Sequence, residues 1–102
     1  MVIEYIRYTI PEDHAAAFEA AYAQAREALD SSAHCLSYEL SRGVEAPGDY
    51  ILRIEWDSVD GHERGFRRSA QFGPFLQAVR PYIDHIKEMR HYQPTTVIAC
   101  SS

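Results

Sequence analysis

The sequence predicts a ferredoxin-like α+β fold in the order βαββαβ, with a four-stranded antiparallel sheet carrying its helices on one face. Two observations point there. Three short runs rich in β-branched and aromatic residues, 2–10, 35–43 and 50–56, carry the two-residue alternation of strands. Two longer stretches, 12–30 and 59–79, repeat apolar residues every three or four positions, as helices lying on a sheet do.

The first strand runs from Val2 to Ile10 and stops at Pro11, which suits a helix start. From Glu12 to about Asp30, Ala15, Phe18, Tyr22, Ala25 and Leu29 form one apolar stripe, with Glu19, Arg26 and Glu27 on the wet side. Glu12 and Asp13 favour the positive end of that helix dipole. In the second strand Leu36, Tyr38 and Leu40 share a side opposite Ser37, Glu39 and Ser41. The loop 44–49 returns the chain into a third strand, where Tyr50, Leu52, Ile54 and Trp56 face one way. Ser58 is the expected cap of the next helix, which Gly61 and Gly65 weaken by roughly 1 kcal/mol each. Val59, His62 and Phe66 are expected to hold it by packing. Phe72, Phe75, Leu76 and Val79 continue as a second stripe, with Pro74 in its first turn. Pro81 marks the exit, and 83–92 read as a final strand. Residues 1–93 thus make one domain, and 94–102 a tail that frays or adds an edge strand to a partner.

Two helices cover only one face of such a sheet. The other measures on the order of 600 Å², the upper end of what a monomer exposes. It is expected to carry Tyr5, Arg7, Thr9, Ile51, Arg53, Glu55, His85, Lys87, Met89 and His91, a charge-complementary surface suited to the same face of a second chain. Tyr5, Ile51 and Met89 would be buried in that homodimer.

Composition narrows the function. A net charge of −5 opposes a phosphate-binding surface, and the Arg64, Arg67 and Arg68 cluster, broken by Glu63, reads as a solvated helix face rather than a nucleic-acid site. No signal peptide or membrane-spanning run is evident, so a cytoplasmic protein with reduced Cys35 and Cys100 is expected, the two thiols acting as packing groups rather than a disulfide. There is no metal motif, phosphate loop, nucleotide fingerprint or nucleophile elbow. His85 and His91 would stand about 20 Å apart on one strand, too far to share a metal. Neither a metal nor a flavin is expected.

What remains is an aromatic interior. Tyr8, Tyr22, Tyr38, Tyr50, Trp56, Phe66, Phe72 and Phe75 all take inward positions, and such a shell suits a flat aromatic ligand anchored by tyrosine hydroxyls. The plainer alternative is that the rings simply fill the core.

The segment Trp56-Asp57-Ser58 followed by a helix broken at Ser69, Phe72 and Phe75 resembles the antibiotic biosynthesis monooxygenase family of small dimeric α+β barrels. That resemblance implies cofactor-independent oxidation of a small quinol- or anthrone-like substrate by O₂, in a pocket that binds the substrate anion, excludes water and supplies a base. His62 is the candidate base, since its unperturbed pKa is near 6.5. Tyr8, Tyr22 and Tyr38 are its candidate polar partners, and Trp56, Phe66 and Phe75 the candidate ring contacts. A related haem-degrading branch has an asparagine, a tryptophan and a histidine where this chain carries Ile6, Phe66 and Leu76, which argues against haem degradation. Residues 34–40, 52–56 and 89–92 also resemble the domain appended to some bacterial truncated globins. The rival reading is accordingly a non-catalytic ligand-binding or interaction module beside a haem or redox protein.

Overall fold

Alternation along the first strand decides which side of the sheet becomes the interior. In the computed structural model, which describes residues 1–99, β1 (Val2–Thr9) turns Val2, Glu4, Ile6 and Tyr8 to one side, all of them buried. The remaining strands are β2 (Cys35–Arg42), β3 (Asp49–Trp56) and β4 (Ile86–Tyr92), in the antiparallel order β2-β3-β1-β4. β1 pairs with β3 through Val2 opposite Trp56, Ile6 opposite Leu52 and Tyr8 opposite Tyr50. The inward face of β3 is Tyr50, Leu52, Ile54 and Trp56, as alternation requires.

Pro11 precedes a single 3-10 turn, Glu12–His14, which feeds α1 (Ala15–Asp30). Its buried stripe, Ala15, Phe18, Tyr22, Ala25, Ala28 and Leu29, lies on the sheet. Phe18 is fully enclosed, with the Tyr8, Tyr22, Tyr50 and Tyr82 rings edge-on at 4.8–5.3 Å. Edge-to-face pairs of this kind add about 0.5–1.5 kcal/mol each beyond their buried area.

After Trp56 the Ser58 hydroxyl accepts the Gly61 N–H at 2.8 Å, the cap expected from sequence. The chain then widens into a π-helical turn, Gly61–Phe66, closed by the Arg67 N–H on the His62 carbonyl at 3.1 Å. His62 and Phe66 point inward from it, whereas Val59 is 42% exposed and contributes little to its packing. The glycines have a steric reason. A Cβ on Gly61 would fall 1.9 Å from Asp57 Oδ1, and one on Gly65 would fall 2.3 Å from His34 Cδ2. His34 Nδ1 bonds Asp57 Oδ2 at 2.8 Å, so this pair clasps the glycine side of the turn. α2 (Phe72–Val79) follows, with Pro74 in its first turn where no backbone donor is lost.

Three expectations need correction. Residues 83–85 belong to a 3-10 segment, Arg80–His85, rather than to the strand, so β4 starts at Ile86, and a bulge shifts its register between the Tyr8–Ile86 and Arg7–Glu88 pairs. Met89 and His91 therefore pair with Ile6 and Glu4 and face the helices, while Glu88, Arg90 and Tyr92 join Tyr5, Arg7, Ile51 and Arg53 on the open face. A second bulge between Cys35 and Ser37 turns Leu36 outward, 55% exposed, and seats Cys35 against the core in its place. Burial pushes the Cys35 thiol up to about 11, so it stays protonated and inert. Cys100, the other half of the disulfide considered above, lies outside the described residues. Among the described residues no helix is long and apolar enough to cross a membrane.

Candidate functional site

Between the inward sheet face and the helices lies a cavity of about 240 Å³, lined mostly by apolar side chains. Its floor is Ile6, Tyr8, Ile54 and Trp56 from the two central strands; Phe66, Phe72 and Phe75 form its helical wall. Tyr22 enters from α1, and Arg67 and Met89 stand together on the lining, a guanidinium nitrogen 3.7 Å from the thioether. Phe66 meets Phe72 and Phe75 nearly at right angles, at 5.7 and 5.3 Å.

The polar groups are few and converge on one end. Glu4 is 1% exposed, and its Oε1 accepts the Trp56 indole N–H at 3.0 Å. The same oxygen is 3.5 Å from His62 Nε2. His62, 4% exposed, is stacked flat on Trp56, ring centroids 4.5 Å apart at 12°, and its Nδ1 is 2.8 Å from His91 Nε2. Along the sheet, Glu4 sits directly opposite His91. The result is a line of three titratable groups, Glu4, His62 and His91, running from the cavity to edge strand β4.

Burial governs their protonation. Desolvation, helped by the Arg67 guanidinium and by the nearness of His91, lowers His62 to about 4, so the ring is neutral at pH 7. Desolvation raises Glu4, against the indole hydrogen bond and the attraction of His91 and Arg67. At the far side of the cavity the Tyr8 and Tyr22 hydroxyls bond each other. Burial pushes Tyr8 up to about 12 and Tyr22 well above its ordinary value, so both remain neutral hydrogen-bonding groups.

The His62 shift has a measurable consequence. Its folded pKa lies below its unfolded value of 6.5, so the unfolded chain binds the extra proton between those two values. His62 thus costs no stability above pH 6.5 and destabilises the fold progressively as pH falls toward 4, by up to about 3 kcal/mol. Urea denaturation of wild type and His62→Gln at pH 7 and pH 4.5 is expected to show a smaller acid loss in the variant.

Six of the seven side chains singled out from sequence, Tyr8, Tyr22, Trp56, His62, Phe66 and Phe75, border this one cavity. Tyr38 does not. It lies in a separate open groove between α1 and β2, donating to Asp30 at 2.6 Å and accepting from Arg26 at 3.0 Å. Glu4 and His91 were missed. The signal for Glu4 was present, since it shares the parity of Ile6 and Tyr8, but a single carboxylate in an apolar strand announces no chemistry by itself.

Glu4, His62 and His91 are also the residue types that ligate metals, and one donor atom from each lies within 4.8 Å of the others. His62 stands between its partners, with Nε2 toward Glu4 and Nδ1 toward His91, so whichever ring nitrogen carries the lone pair faces only one of them. The arrangement suits proton transfer better than coordination.

A four-stranded antiparallel sheet with helices on one face, enclosing an aromatic cavity with a buried histidine at one end, defines a ferredoxin-like α+β domain. The chain belongs to the antibiotic biosynthesis monooxygenase family, whose model matches residues 1–80. It is 26% identical over 93 residues to the uncharacterized protein YczJ of Bacillus subtilis, covering 91% of this chain and 98% of that one. Among solved structures it is similar to a candidate antibiotic biosynthesis monooxygenase from Bordetella bronchiseptica, with 31% identity, a TM-score of 0.77, and 92% and 96% of the two chains covered. The fold is shared with SnoaB, a cofactor-independent oxygenase from Streptomyces nogalater, with a TM-score of 0.71 at 19% identity over 95% and 97% of the chains.

Proposed function

We propose that the protein is a cofactor-independent monooxygenase that oxidises a small, electron-rich aromatic substrate, of the quinol or anthrone type, with O₂. The observation that carries this reading is a buried, neutral histidine at the polar end of a cavity walled mostly by aromatic rings and aliphatic side chains. Such walls favour a flat apolar molecule and keep water out, and the pair of tyrosine hydroxyls gives its oxygen a hydrogen-bonding partner. In the reaction the substrate's hydroxyl proton leaves through the polar end of the cavity, with His62 carrying it away, and the electron pair stays on the ring system as an anion, near the positive charge of Arg67. The anion supplies the electrons that reduce O₂; one oxygen atom enters the product as a carbonyl and the other leaves as water. Membership of the family and the likeness in fold to an oxygenase that works without cofactor support the same assignment. The test is oxygen uptake by metal-free protein against a panel of hydroquinones and anthrones. Uptake of one O₂ per substrate consumed is the expected result; saturable binding without uptake would assign the cavity to a non-catalytic ligand-binding module.

The working unit in this reading is a homodimer. The open sheet face carries Tyr5, Ile51 and Tyr92 among Arg7, Arg53, Glu55, Glu88 and Arg90, so two copies face to face would bury the apolar residues and pair the charges. Ile51 and Tyr92 are 41% and 46% exposed on the single chain. Sedimentation equilibrium at micromolar concentration is expected to return twice the 11.6 kDa chain mass; a monomer would contradict it.

A further inference from the structure

We propose that Glu4 is the group that first takes the substrate's proton, and that His62 and His91 relay it along the sheet to the edge of β4. The inference rests on the oxygenase reading for its substrate, and adds to it a catalytic carboxylate, a route and a ligand class.

The geometry carries it. Glu4 and His62 both line the cavity, but His91 does not; it lies behind them, half-buried on an edge strand. Both known contacts of the Glu4 carboxyl, from Trp56 and His62, fall on Oε1, so Oε2 is the oxygen available to an incoming hydroxyl. A neutral imidazole has one N–H. On Nδ1 it makes the 2.8 Å bond to His91 Nε2 and leaves Nε2 as an acceptor facing Glu4, where 3.5 Å is too long for a strong donated bond. The substrate O–H then breaks toward Oε2 and its electrons remain on the substrate oxygen. After rotation of the carboxyl the proton passes to His62 Nε2, the Nδ1 proton moves to His91 Nε2, and His91 releases its other ring proton to water. No oxidant or reductant enters this step. Burial that makes Glu4 a stronger base than an ordinary carboxylate, and holds His62 neutral, suits both roles.

The same arrangement selects the ligand. A carboxylate base in a dry cavity repels a ligand that arrives as an anion. The preferred class is a flat arene bearing a neutral hydroxyl, with ionisation occurring after entry.

Anaerobic binding of 4-nitrophenol, whose colour reports its ionisation, tests this without turnover. Glu4 is faced by Trp56 of β3, His62, Glu63 and Arg67 of the following turn, His91 of β4 and the Tyr8–Tyr22 pair, so variants are compared at matched pH. Wild type is expected to hold the probe as phenolate at a pH about one unit below its ionisation in water. Glu4→Gln, which keeps an acceptor for the Trp56 indole, should bind it within threefold but shift that ionisation upward by one unit or more. In stopped flow with a pH-indicator dye, His91→Gln should release the proton to solvent at least tenfold more slowly than wild type, with free imidazole restoring the rate. A Glu4→Gln complex that ionises like wild type overturns the carboxylate's role, and an unchanged or unrescued His91→Gln rate overturns the relay. Wild type that binds no probe removes the aromatic site itself, and with it the oxygenase reading.

Discussion

Phe66→Ala is expected to destabilise the fold by about 3–5 kcal/mol and to weaken aromatic ligands at the same time. Phe66 is 2% exposed and touches three other rings, Trp56 at 5.1 Å, Phe75 at 5.3 Å and Phe72 at 5.7 Å. It hangs from a π-helical turn that carries Gly61 and Gly65, residues that add no packing of their own. Collapse into the space left by the ring is limited, because the Trp56 side of the cavity is fixed by the bond to Glu4 and the stack on His62. A domain of this size has a total stability of only about 5–15 kcal/mol, so the loss is a large fraction. Urea denaturation monitored by far-UV circular dichroism would give the figure; a change below about 1 kcal/mol would mean that the ring does not hold the turn to the sheet.

His62→Ala is expected to lower turnover by roughly a hundredfold or more, with a small effect on KM. The ring stands between Glu4 and His91, so its removal breaks the proposed proton path, while the Tyr8–Tyr22 pair and the aromatic wall proposed to hold the substrate are untouched. Stability at neutral pH should change less than in Phe66→Ala, since the smaller, polar imidazole buries less apolar surface than a phenyl ring. Steady-state oxygen uptake separates the two parameters. A rise in KM with unchanged kcat would place His62 in binding and remove it from proton transfer.

How legible the molecule is from its sequence depends on which interactions fix each part. The inward faces of β1 and β3 and the stripe on α1 follow from local period, because each is long, regular and buried on one side. Those three elements already place Tyr8, Tyr22 and Trp56 around one interior. The parity of β4 does not follow, since the 3-10 segment 80–85 delays the strand and the bulge beside Tyr8 shifts its register. That slip sent Met89 and His91 to the wrong face, and with His91 went the link that makes His62 part of a chain rather than a lone packed imidazole. Tyr38 failed for another reason. It faces the helix side, but on the edge strand β2, where Arg26 and Asp30 at the end of α1 engage its hydroxyl outside the cavity. Alternation assigns a face; distance from the sheet centre decides whether that face reaches the site.

Trp56 offers the most direct measurement of the central claim, that the cavity between helices and sheet takes an aromatic ligand. It is the only tryptophan in the chain, fully buried, and part of the cavity lining, so its emission is sensitive to what occupies that space. Titration with anthrone or hydroquinone under nitrogen is predicted to change Trp56 fluorescence saturably, with a stoichiometry of one ligand per chain and a weaker affinity in Phe66→Ala. Emission that stays constant up to the solubility limit of every ligand in the panel would contradict the account.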